Sequence, residues 1–561
     1  MSLPVRLRTR PIHAAAVLGA IALALPGSAS VSLDRDALSK SLSASPLTEE
    51  QKVVHVLDRL GYGPRPGDVE KVRALGLAEY IARQLEPERI DDSAASARLE
   101  RLETTRMSSR ELGEIFSRAQ AARKKRARQN PEGEAKRPPP DPALRMEMAG
   151  QRKIGLELAQ AKLLAATYSE RQLKEVMADF WFNHFNIFIG KGADRVLTTE
   201  YDRDVIRPNA LGNFSDLLVA TAKSPAMLFY LDNWLSVDPN AKPPERNARG
   251  RFRGRMKVAQ QVAKPGKKAR GLNENYAREL MELHTLGVDG GYTQKDVTEV
   301  ARCFTGWTLR NPRQGGGFQF VSFLHDNGSK TVLGRKVPAG GGMRDGEIVL
   351  ELLAKHPSTA RFVSTKLCRR FVSDNPPESL VARSAEIFLK TRGDIRQVLA
   401  AIFTSREFYS PEAYRAKIKK PFQLVVSALR ATGAETIAPP VMIAALRAMG
   451  EMPYGCQPPT GYPDTADAWV NTGALLERMN FATRLAAGDL PGTRTRLAEL
   501  APAEAPTAEI VSKLARELLR EPPSQELARD IEKQVAVGSE GGEKVTRIAA
   551  LILGSPEFQR H

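Results

Sequence analysis

The stretch NENYARELMELHTLGVDGGYTQKDVTEVARCFTGW, residues 273–307, decides the fold class of this 561-residue chain. Apolar residues such as Leu280 recur at helical spacing up to Gly287, which can end a helix in the left-handed conformation. Thr293 and Asp296 then form an approximate capping box, the signature of a second helix start. The stretch therefore predicts two helices joined by a tight glycine turn.

Helical periodicity continues on both sides of this stretch. Thr48 followed by Gln51 predicts a capped helix that ends at Gly61, and Pro225 separates two further helices. We expect a mainly α protein, with a large multi-helix body and a small β-hairpin insertion.

The hairpin is predicted in GFQFVSFLHDNGSKTVLG, residues 317–334. Two β-rich runs flank Asn327 and Gly328, a dipeptide that supplies the positive φ angles of a tight turn. We expect the two runs to pair across this turn.

The first thirty residues are typical of a secretory signal peptide, with arginines before an apolar run and small residues after it. The run is shorter than the ~20 residues needed to span a bilayer. We therefore expect a periplasmic or extracellular protein without a transmembrane span in the mature chain. The regions expected to follow are an N-terminal helical segment 31–100, a basic Pro-rich disordered insertion 101–150, a central helical core 151–430 and a C-terminal helical region 431–561.

The net charge of +18 is concentrated in a basic loop, residues 241–270. This loop holds eleven Lys and Arg against the single acidic residue Glu245, and Arg251, Arg253 and Arg255 are candidates for binding an anionic substrate. An exported basic protein favours anionic lipid or polysaccharide as partner and argues against nucleic acid. A solvated, flexible loop is the alternative interpretation.

The three cysteines, Cys303, Cys368 and Cys456, lack the spacing of a zinc site or a disulfide scaffold. We expect buried free thiols.

Carboxylates and histidines of the central region are the candidate catalytic groups: Glu279, Glu282, His284 and His325. The alternative for Glu282 is a salt-bridge ladder with Arg278 and Glu274, since the three lie four residues apart. No standard zinc, di-metal or calcium motif matches here, so the metal content stays open.

Polar and aromatic residues around these groups are candidates for binding a substrate: Asn273, Asn275, Tyr276, His184 and Trp307. A pocket in which these segments converge with His325 would hold acid, base and orienting groups. For each histidine, a hydrogen-bonded role in the core is the competing interpretation.

Seven ordered blocks resemble the bacterial family catalogued as domain of unknown function 1800. They are LDRLGYGPRPGDVEKV, FWFNHFNIF, MLFYLDN, the stretch 273–308, HDNGSKTVLG, HPSTARFVSTKLCRRFV and GDIRQVLAAIFTSREF, and PTGYPDTADAWVNTGALLERMNFA extends the match. The resemblance implies an exported, largely helical protein, often encoded beside a partner that resembles the alkaline phosphatase and sulfatase superfamily. It implies no established reaction, so no catalytic residues can be carried over from it, and the cofactor stays unknown.

Two functions therefore stay open. The first is a helical binding or assembly factor for a partner protein or an anionic envelope polymer. The second is a hydrolase-type enzyme that acts on an anionic envelope substrate through a Glu/His site. The first is favoured, since no known catalytic constellation is complete.

Overall fold

A computed structural model describes residues 33–129, 142–241, 271–310, 315–535 and 541–561. The predicted signal peptide and Arg251, Arg253 and Arg255 of the basic loop lie outside these residues.

Helices dominate the described residues, as the periodicity predicts. The α-helices up to residue 230 are α1 (Arg35–Ala44), α2 (Glu49–Leu60), α3 (Asp68–Leu75), α4 (Leu77–Leu85), α5 (Ser93–Leu99), α6 (Ser109–Gln129), α7 (Pro142–Tyr168), α8 (Gln172–His184), α9 (Asp194–Glu200), α10 (Arg207–Asn209), α11 (Phe214–Ala222) and α12 (Pro225–Tyr230). Those that follow are α13 (Glu274–Met281), α14 (Gln294–Cys303), α15 (Met343–Ala354), α16 (Pro357–Phe371), α17 (Glu378–Lys390), α18 (Ile395–Phe403), α19 (Pro421–Ala431), α20 (Pro440–Ala448), α21 (Thr472–Ala486), α22 (Leu497–Leu500), α23 (Thr507–Leu518), α24 (Gln525–Val535) and α25 (Gly541–Gly554). Two π-helical turns, Tyr201–Ile206 and Glu282–Leu286, extend α9 and α13, and short 3-10 turns lie at Pro87–Arg89, Glu103–Thr105, Asn233–Leu235, Ser322–Leu324 and Ala466–Ala468.

Local capping chemistry fixes several of these boundaries. Both predicted capping boxes are present, from Thr48 with Gln51 and from Thr293 with Asp296. Gly287 takes a φ of 82° with a ψ of 166°, so it ends the helix with positive φ but extended ψ rather than as a left-handed helical residue. The predicted helix–turn–helix of residues 273–307 is confirmed.

The insertion predicted between residues 101 and 150 is largely helical where it is described. Helix α6 occupies Ser109–Gln129 and packs against α7, which begins at Pro142. The prediction of disorder is therefore wrong for these two segments, because α6 has an apolar face with Leu112 and Ala119 buried. Residues 130–141 lie outside the described part of the chain.

Six short strands form three two-stranded antiparallel sheets within the described residues: β1 (Trp307–Leu309) with β2 (Phe318–Phe320), β3 (Lys330–Val332) with β4 (Arg335–Val337), and β5 (Glu435–Thr436) with β6 (Thr493–Arg494).

The small hairpin is present, but its predicted turn is wrong. The two runs that flank Asn327 and Gly328 do not pair with each other, because β2 pairs with β1 and β3 pairs with β4. The positive φ angles lie instead at Leu333, with φ 50°, and Gly334, with φ 75°. The Gly328 N–H donates to Asp326 Oδ1 over 2.8 Å, so this dipeptide forms a side-chain-capped bend.

One continuous hydrophobic core contains buried residues from Leu38 to Phe558. Helix α21 packs against α25, and α16 packs against α17. The chain therefore brings residues that are distant in sequence to one interior. None of the helices in the described ranges is long and apolar enough to cross a membrane.

Candidate functional site

Two of the predicted histidines, His184 and His284, lie together. His184, near the end of α8, places its ring centroid 6.4 Å from that of His284, and its Nε2 lies 3.1 Å from the His284 backbone oxygen. Both are buried, and burial, reinforced by the Lys366 ammonium, lowers the pKa of His284 to about 3 and holds that of His184 well below its usual value. Both imidazoles are therefore neutral at physiological pH.

Glu279 and Glu282 lie on the partly exposed face of the opening helix. Burial, followed by the neighbouring Glu282, raises the pKa of Glu279. Glu282 accepts a hydrogen bond from the Tyr292 hydroxyl over 3.0 Å. These contacts do not place either carboxylate against a histidine ring.

The predicted salt-bridge ladder is wrong. The Arg278 guanidinium donates to Gln294 Oε1 over 2.7 Å, and Glu274 accepts from Gln294 Nε2 over 3.0 Å and from the Thr298 hydroxyl over 2.9 Å. The tight glycine turn brings α14 alongside α13, so the polar side chains of α13 bond across to α14 instead of along their own helix.

His325 belongs to a different cluster. Its Nδ1 lies 2.8 Å from the Thr305 backbone oxygen, and its Nε2 lies 3.1 Å from Asp345 Oδ2. Lys330 completes this cluster, because its Nζ lies 2.6 Å from the same Asp345 oxygen. The side chains of His325, Lys330 and Asp345 are fully buried. The hydrogen bonds of His325 therefore join it to Thr305 and Asp345, and none of them involves Glu279, Glu282 or His284.

The residues predicted to bind a substrate have mainly structural contacts. Asn273 caps α13 through a hydrogen bond from the Tyr276 N–H to its Oδ1, and Asn275 is exposed. Tyr276 and Trp307 are completely buried, and both contact the Phe304 ring. Their burial removes them from any surface that a substrate approaches.

A polar cavity lies elsewhere, between α7, α8, the start of α19 and the loop that follows α20. Its lining combines charged, amide and aromatic side chains: Lys162, Asp179, Phe182, Asn183, Asn186, Lys420, Phe422, Glu451, Tyr454 and Tyr462. Its volume of about 20 Å³ is room for about one water-sized group. We refer to it as the charged cavity.

Two sequence blocks meet at this cavity through a reciprocal pair of hydrogen bonds. Asn183 Nδ2 donates to the Tyr462 backbone oxygen over 2.9 Å, and the Tyr462 N–H donates to Asn183 Oδ1 over 2.7 Å. Asn186 Nδ2 donates to the backbone oxygens of Cys456 and Pro458. The two asparagines of FWFNHFNIF therefore fix the loop that carries PTGYPDT.

Gly461 makes this close approach possible. Its φ is 74°, and a Cβ at this position would lie 2.3 Å from the Asn183 backbone oxygen. Only glycine fits this contact without strain.

One wall of the cavity is an ion pair. Lys162 Nζ lies 2.5 Å from Asp179 Oδ1 and 5.0 Å from the centre of the Tyr454 ring. Burial alone would raise the pKa of Asp179, but the ammonium groups of Lys162 and Lys420 outweigh it and hold this pKa below its usual value. Asp179 is therefore ionised.

A second ion-pair network extends from the cavity toward the two histidines. Lys420 Nζ lies 2.7 Å from Asp464 Oδ1, and Lys366 Nζ lies 3.9 Å from Asp464 Oδ2. Burial opposes ionisation of Asp464, yet Lys420 and Lys366 hold its pKa well below the usual value. Lys417 donates to the Asp464 backbone oxygen over 3.0 Å and to Asp374 Oδ1.

Glu451 is the cavity carboxyl with the opposite shift. Its Oε2 accepts the Phe422 N–H over 2.8 Å, at the N-terminus of α19. Burial raises the pKa of Glu451 to about 7, with Asp179 adding to the effect and Lys420 opposing it. Asp179 and Glu451 therefore line one cavity with pKa values shifted in opposite directions.

The side chains in and around the charged cavity form a charged cluster, in which the basic groups outnumber the ionised carboxylates. Five basic residues, Lys162, Lys366, Arg370, Lys417 and Lys420, interact with four acidic ones, Asp179, Asp374, Glu451 and Asp464. Arg370 is 9% exposed, and its buried Nη1 has no hydrogen-bond partner among the described residues. Guanidinium nitrogens of Arg59, Arg478 and Arg520 are buried in the same way, so this feature is not confined to the cluster.

The cluster does not have the composition of a metal site. Lysine and arginine alternate with its carboxylates, and across the described ranges no three His, Cys, Asp or Glu side chains are arranged to hold a metal ion.

Our sequence reasoning missed Lys162, Lys366, Arg370, Lys420, Glu451 and Asp464 as site residues. A usable signal existed, because three of the quoted blocks converge on the cluster: FWFNHFNIF brings Asn183, HPSTARFVSTKLCRRFV brings Lys366 and Arg370, and PTGYPDT brings Asp464. Glu451 lies outside these blocks and carries no local signal.

Comparison with known proteins agrees with the resemblance seen in the sequence. No curated protein and no solved structure matches the chain. The sequence profile of the family described as protein of unknown function DUF1800 matches residues 55–560. This match spans the charged cavity and nearly all of the described helices, and the chain therefore belongs to the DUF1800 family.

Proposed function

We propose that the protein is an exported binding or assembly factor that holds an anionic group of an envelope polymer in its charged cavity. The supporting features are the polar lining of the cavity and the rigid connection between its two walls through Asn183 and Tyr462. The predicted Glu/His catalytic set is dispersed over separate clusters, which favours binding over that chemistry.

The observation that carries the proposal is the excess of positive charge beside the cavity, where Arg370 interacts with Asp179, Asp464 and Glu451 without lining the cavity itself. The Arg370 Nη1 is buried without a partner among the described residues, while the carboxylates nearby are engaged by lysines. Anion binding would satisfy this guanidinium, since a planar guanidinium donates readily to carboxylate, sulfate and phosphate oxygens.

Binding of mature protein to defined polymers tests the proposal. The probes are polygalacturonate, dextran sulfate and uncharged dextran at one fixed ionic strength, measured by biolayer interferometry. We expect binding to the charged polymers and none to uncharged dextran. We also expect Arg370→Met to weaken binding about tenfold or more, because the substitution removes one charge-assisted contact with the anion.

The matched control is Arg494→Met, because Arg494 is exposed on β6. An equal loss in both variants would show that overall charge, rather than the cavity, determines binding. Unchanged binding of a folded Arg370→Met variant would contradict the proposal.

A hydrolase is the second candidate, because one observation favours it. Asp179 and Glu451 line the same cavity with pKa values shifted in opposite directions, the pattern of an ionised carboxylate beside a general acid. The catalytic pair would then be these two residues rather than Glu279 and Glu282. New reducing ends in the polygalacturonate mixture, lost in Glu451→Gln with binding retained, would establish this activity.

A further inference from the structure

We propose that one end of the α6–α7 helix pair is a docking surface for the head groups of an anionic phospholipid bilayer. This end consists of residues 118–128 of α6 and 142–152 of α7, and we call it the basic arm. None of the residues that line the charged cavity belongs to it, so the inference goes beyond the proposed function and does not depend on it.

The two helices of the basic arm run antiparallel and extend past the hydrophobic core. A Cβ at Gly150 would lie 3.4 Å from Ile115 Cγ2, and Arg118 Nε lies 3.8 Å from Glu147 Oε2, so later residues of α6 face earlier residues of α7. Leu112 and Ile154, just outside the arm, belong to the core, whereas none of the described side chains of the arm does. Each segment of the arm rises about 15 Å along its helix axis.

The charge of the basic arm is almost entirely positive. Its two segments hold eight Lys and Arg residues and a single acidic residue, Glu147. Seven of the basic side chains are exposed: Arg118, Arg123, Lys124, Lys125, Arg128, Arg145 and Arg152. Glu147 pairs with Arg118, and no second carboxylate of the described residues pairs with any of the seven. The remaining positive charge is therefore available to an anionic partner.

Three of these cations share one face of α6. Lys124 and Arg128 lie four residues apart, and Lys125 follows Lys124, so all three lie on the side of the helix opposite the buried Ala119. Ala121, which is small and exposed, lies among them. A continuous exposed face of like charge fits an extended anionic surface better than it fits a single small anion.

An exposed apolar side chain favours a lipid surface over other polyanions. Met146 is 78% exposed and lies next to Arg145. At a bilayer surface an apolar side chain can enter the acyl boundary while neighbouring cations stay with the head groups, whereas a hydrated acidic polysaccharide offers no apolar layer. Neither segment contains an aromatic residue, so the arm lacks the stacking platforms that bind single-stranded nucleic acid.

The electrostatic contribution is large enough to measure. Each Lys or Arg close to an anionic bilayer strengthens binding about fivefold, so the three cations on one face of α6 together contribute about a hundredfold. Salt should weaken this binding, because the Debye length at physiological ionic strength is only about 8 Å.

Cosedimentation of the full chain without its predicted signal peptide with lipid vesicles tests the inference. One set of vesicles contains equal parts of phosphatidylglycerol and phosphatidylcholine, and the other contains phosphatidylcholine alone. We expect binding to the first set only, and weaker binding as salt is added. Combined Lys124→Gln, Lys125→Gln and Arg128→Gln should weaken it about a hundredfold, and glutamine preserves the helix propensity of α6.

The matched control combines Lys295→Gln, Lys336→Gln and Arg406→Gln. These three side chains are exposed outside the arm, so the variant loses the same charge and should bind the vesicles within about twofold of the wild-type protein. Met146→Gln separates lipid from other polyanions. It should weaken vesicle binding about tenfold by removing the apolar contact, and it should leave dextran sulfate binding unchanged.

Each of the following results would overturn the inference. Equal losses in the two triple variants would show that overall charge determines binding, and unchanged vesicle binding by a folded arm variant would show that the arm does not bind lipid. Binding of dextran sulfate or double-stranded DNA through the arm, without binding of the anionic vesicles, would assign it to another polyanion. If the triple arm variant does not fold by circular dichroism, Met146→Gln decides, since unchanged vesicle affinity in that variant excludes lipid.

Discussion

Lys330 Nζ lies 2.6 Å from Asp345 Oδ2, and both side chains are completely buried. His325 lies 3.1 Å from the same oxygen. The cluster joins β3 to α15 beneath the small hairpin, and it shows that His325, a candidate for catalysis by sequence, is held by structural contacts.

Lys330→Met should destabilise the protein strongly. Removing the ammonium leaves the Asp345 carboxylate buried beside a single histidine, and breaking a buried pair in this way costs about 3–5 kcal/mol. Urea denaturation followed by circular dichroism measures the free energy of unfolding. The control is Lys336→Met on β4, whose exposed side chain should change stability by less than about 0.5 kcal/mol. Equal stability of the two variants would mean that the buried pair contributes nothing.

Glu451→Gln should become more stable than the wild-type protein as pH rises. The folded-state pKa of about 7 lies above the usual value of 4.5, so the wild-type protein loses stability as pH rises from about 4.5 to 7. The glutamine variant has no such titration. A gain of about 1–3 kcal/mol at pH about 8, and little difference at pH about 4, is expected from this shift. Melting temperatures across this range measure it, and a constant difference at every pH would contradict it.

Asn183→Ala should lower stability and loosen the cavity. The substitution leaves the Tyr462 N–H and backbone oxygen without their partners, at a cost of about 1–3 kcal/mol. Thermal unfolding measures the loss, and polymer binding should weaken in the same variant. Asn275→Ala is the control, because that side chain is exposed and should change neither property appreciably. A fully stable Asn183→Ala protein would refute this role for the amide.

The three cysteines should be unreactive in the folded protein. All are buried and free, and burial raises the pKa of Cys303 to about 12 and those of Cys368 and Cys456 to about 11. Since the thiolate is the nucleophile, Ellman's reagent should label none of them rapidly at neutral pH. Labelling of all three should follow unfolding in guanidinium, and rapid labelling of native protein would contradict their burial.

Glu279→Gln should stabilise the protein slightly at neutral pH. Burial and the charge of Glu282 raise the Glu279 pKa, so its ionised form is disfavoured in the folded state, and stability falls as pH rises through the shifted range. The side chain is only half-buried, so the gain should stay below about 0.5 kcal/mol. Glu282→Gln should bring no such gain, because it weakens the hydrogen bond from Tyr292. Equal melting curves for both variants and the wild-type protein would rule out this repulsion.

Local features of the fold could be predicted from the sequence, whereas the site could not. The capping boxes at Thr48 and Thr293 depend on residues three apart, and both are present. The predicted position of the hairpin turn is wrong, because it was based on the local turn propensity of Asn327 and Gly328. Tertiary packing instead decides which strands pair with β2 and β3.

The cavity escaped prediction because its parts are separated in sequence. Lys162 and Glu451 each lie in an unremarkable local pattern, and only packing of the helices brings them, together with Lys366, near Asp179 and Asp464. His184 and His284 were named separately as site candidates, and both their proximity and their neutral, buried state follow from the surroundings that the fold provides.

The amide of Asn183 and the backbone of Tyr462 lie 279 positions apart along the chain. During synthesis, the wall of the cavity that carries Asn183 therefore cannot close until the chain past residue 462 has emerged from the ribosome. Closing so long a loop is slow. Over that interval the polar faces of α7 and α8 stay hydrated and their apolar faces stay exposed to solvent. These exposed apolar faces can associate with other chains, so aggregation competes with folding at this stage.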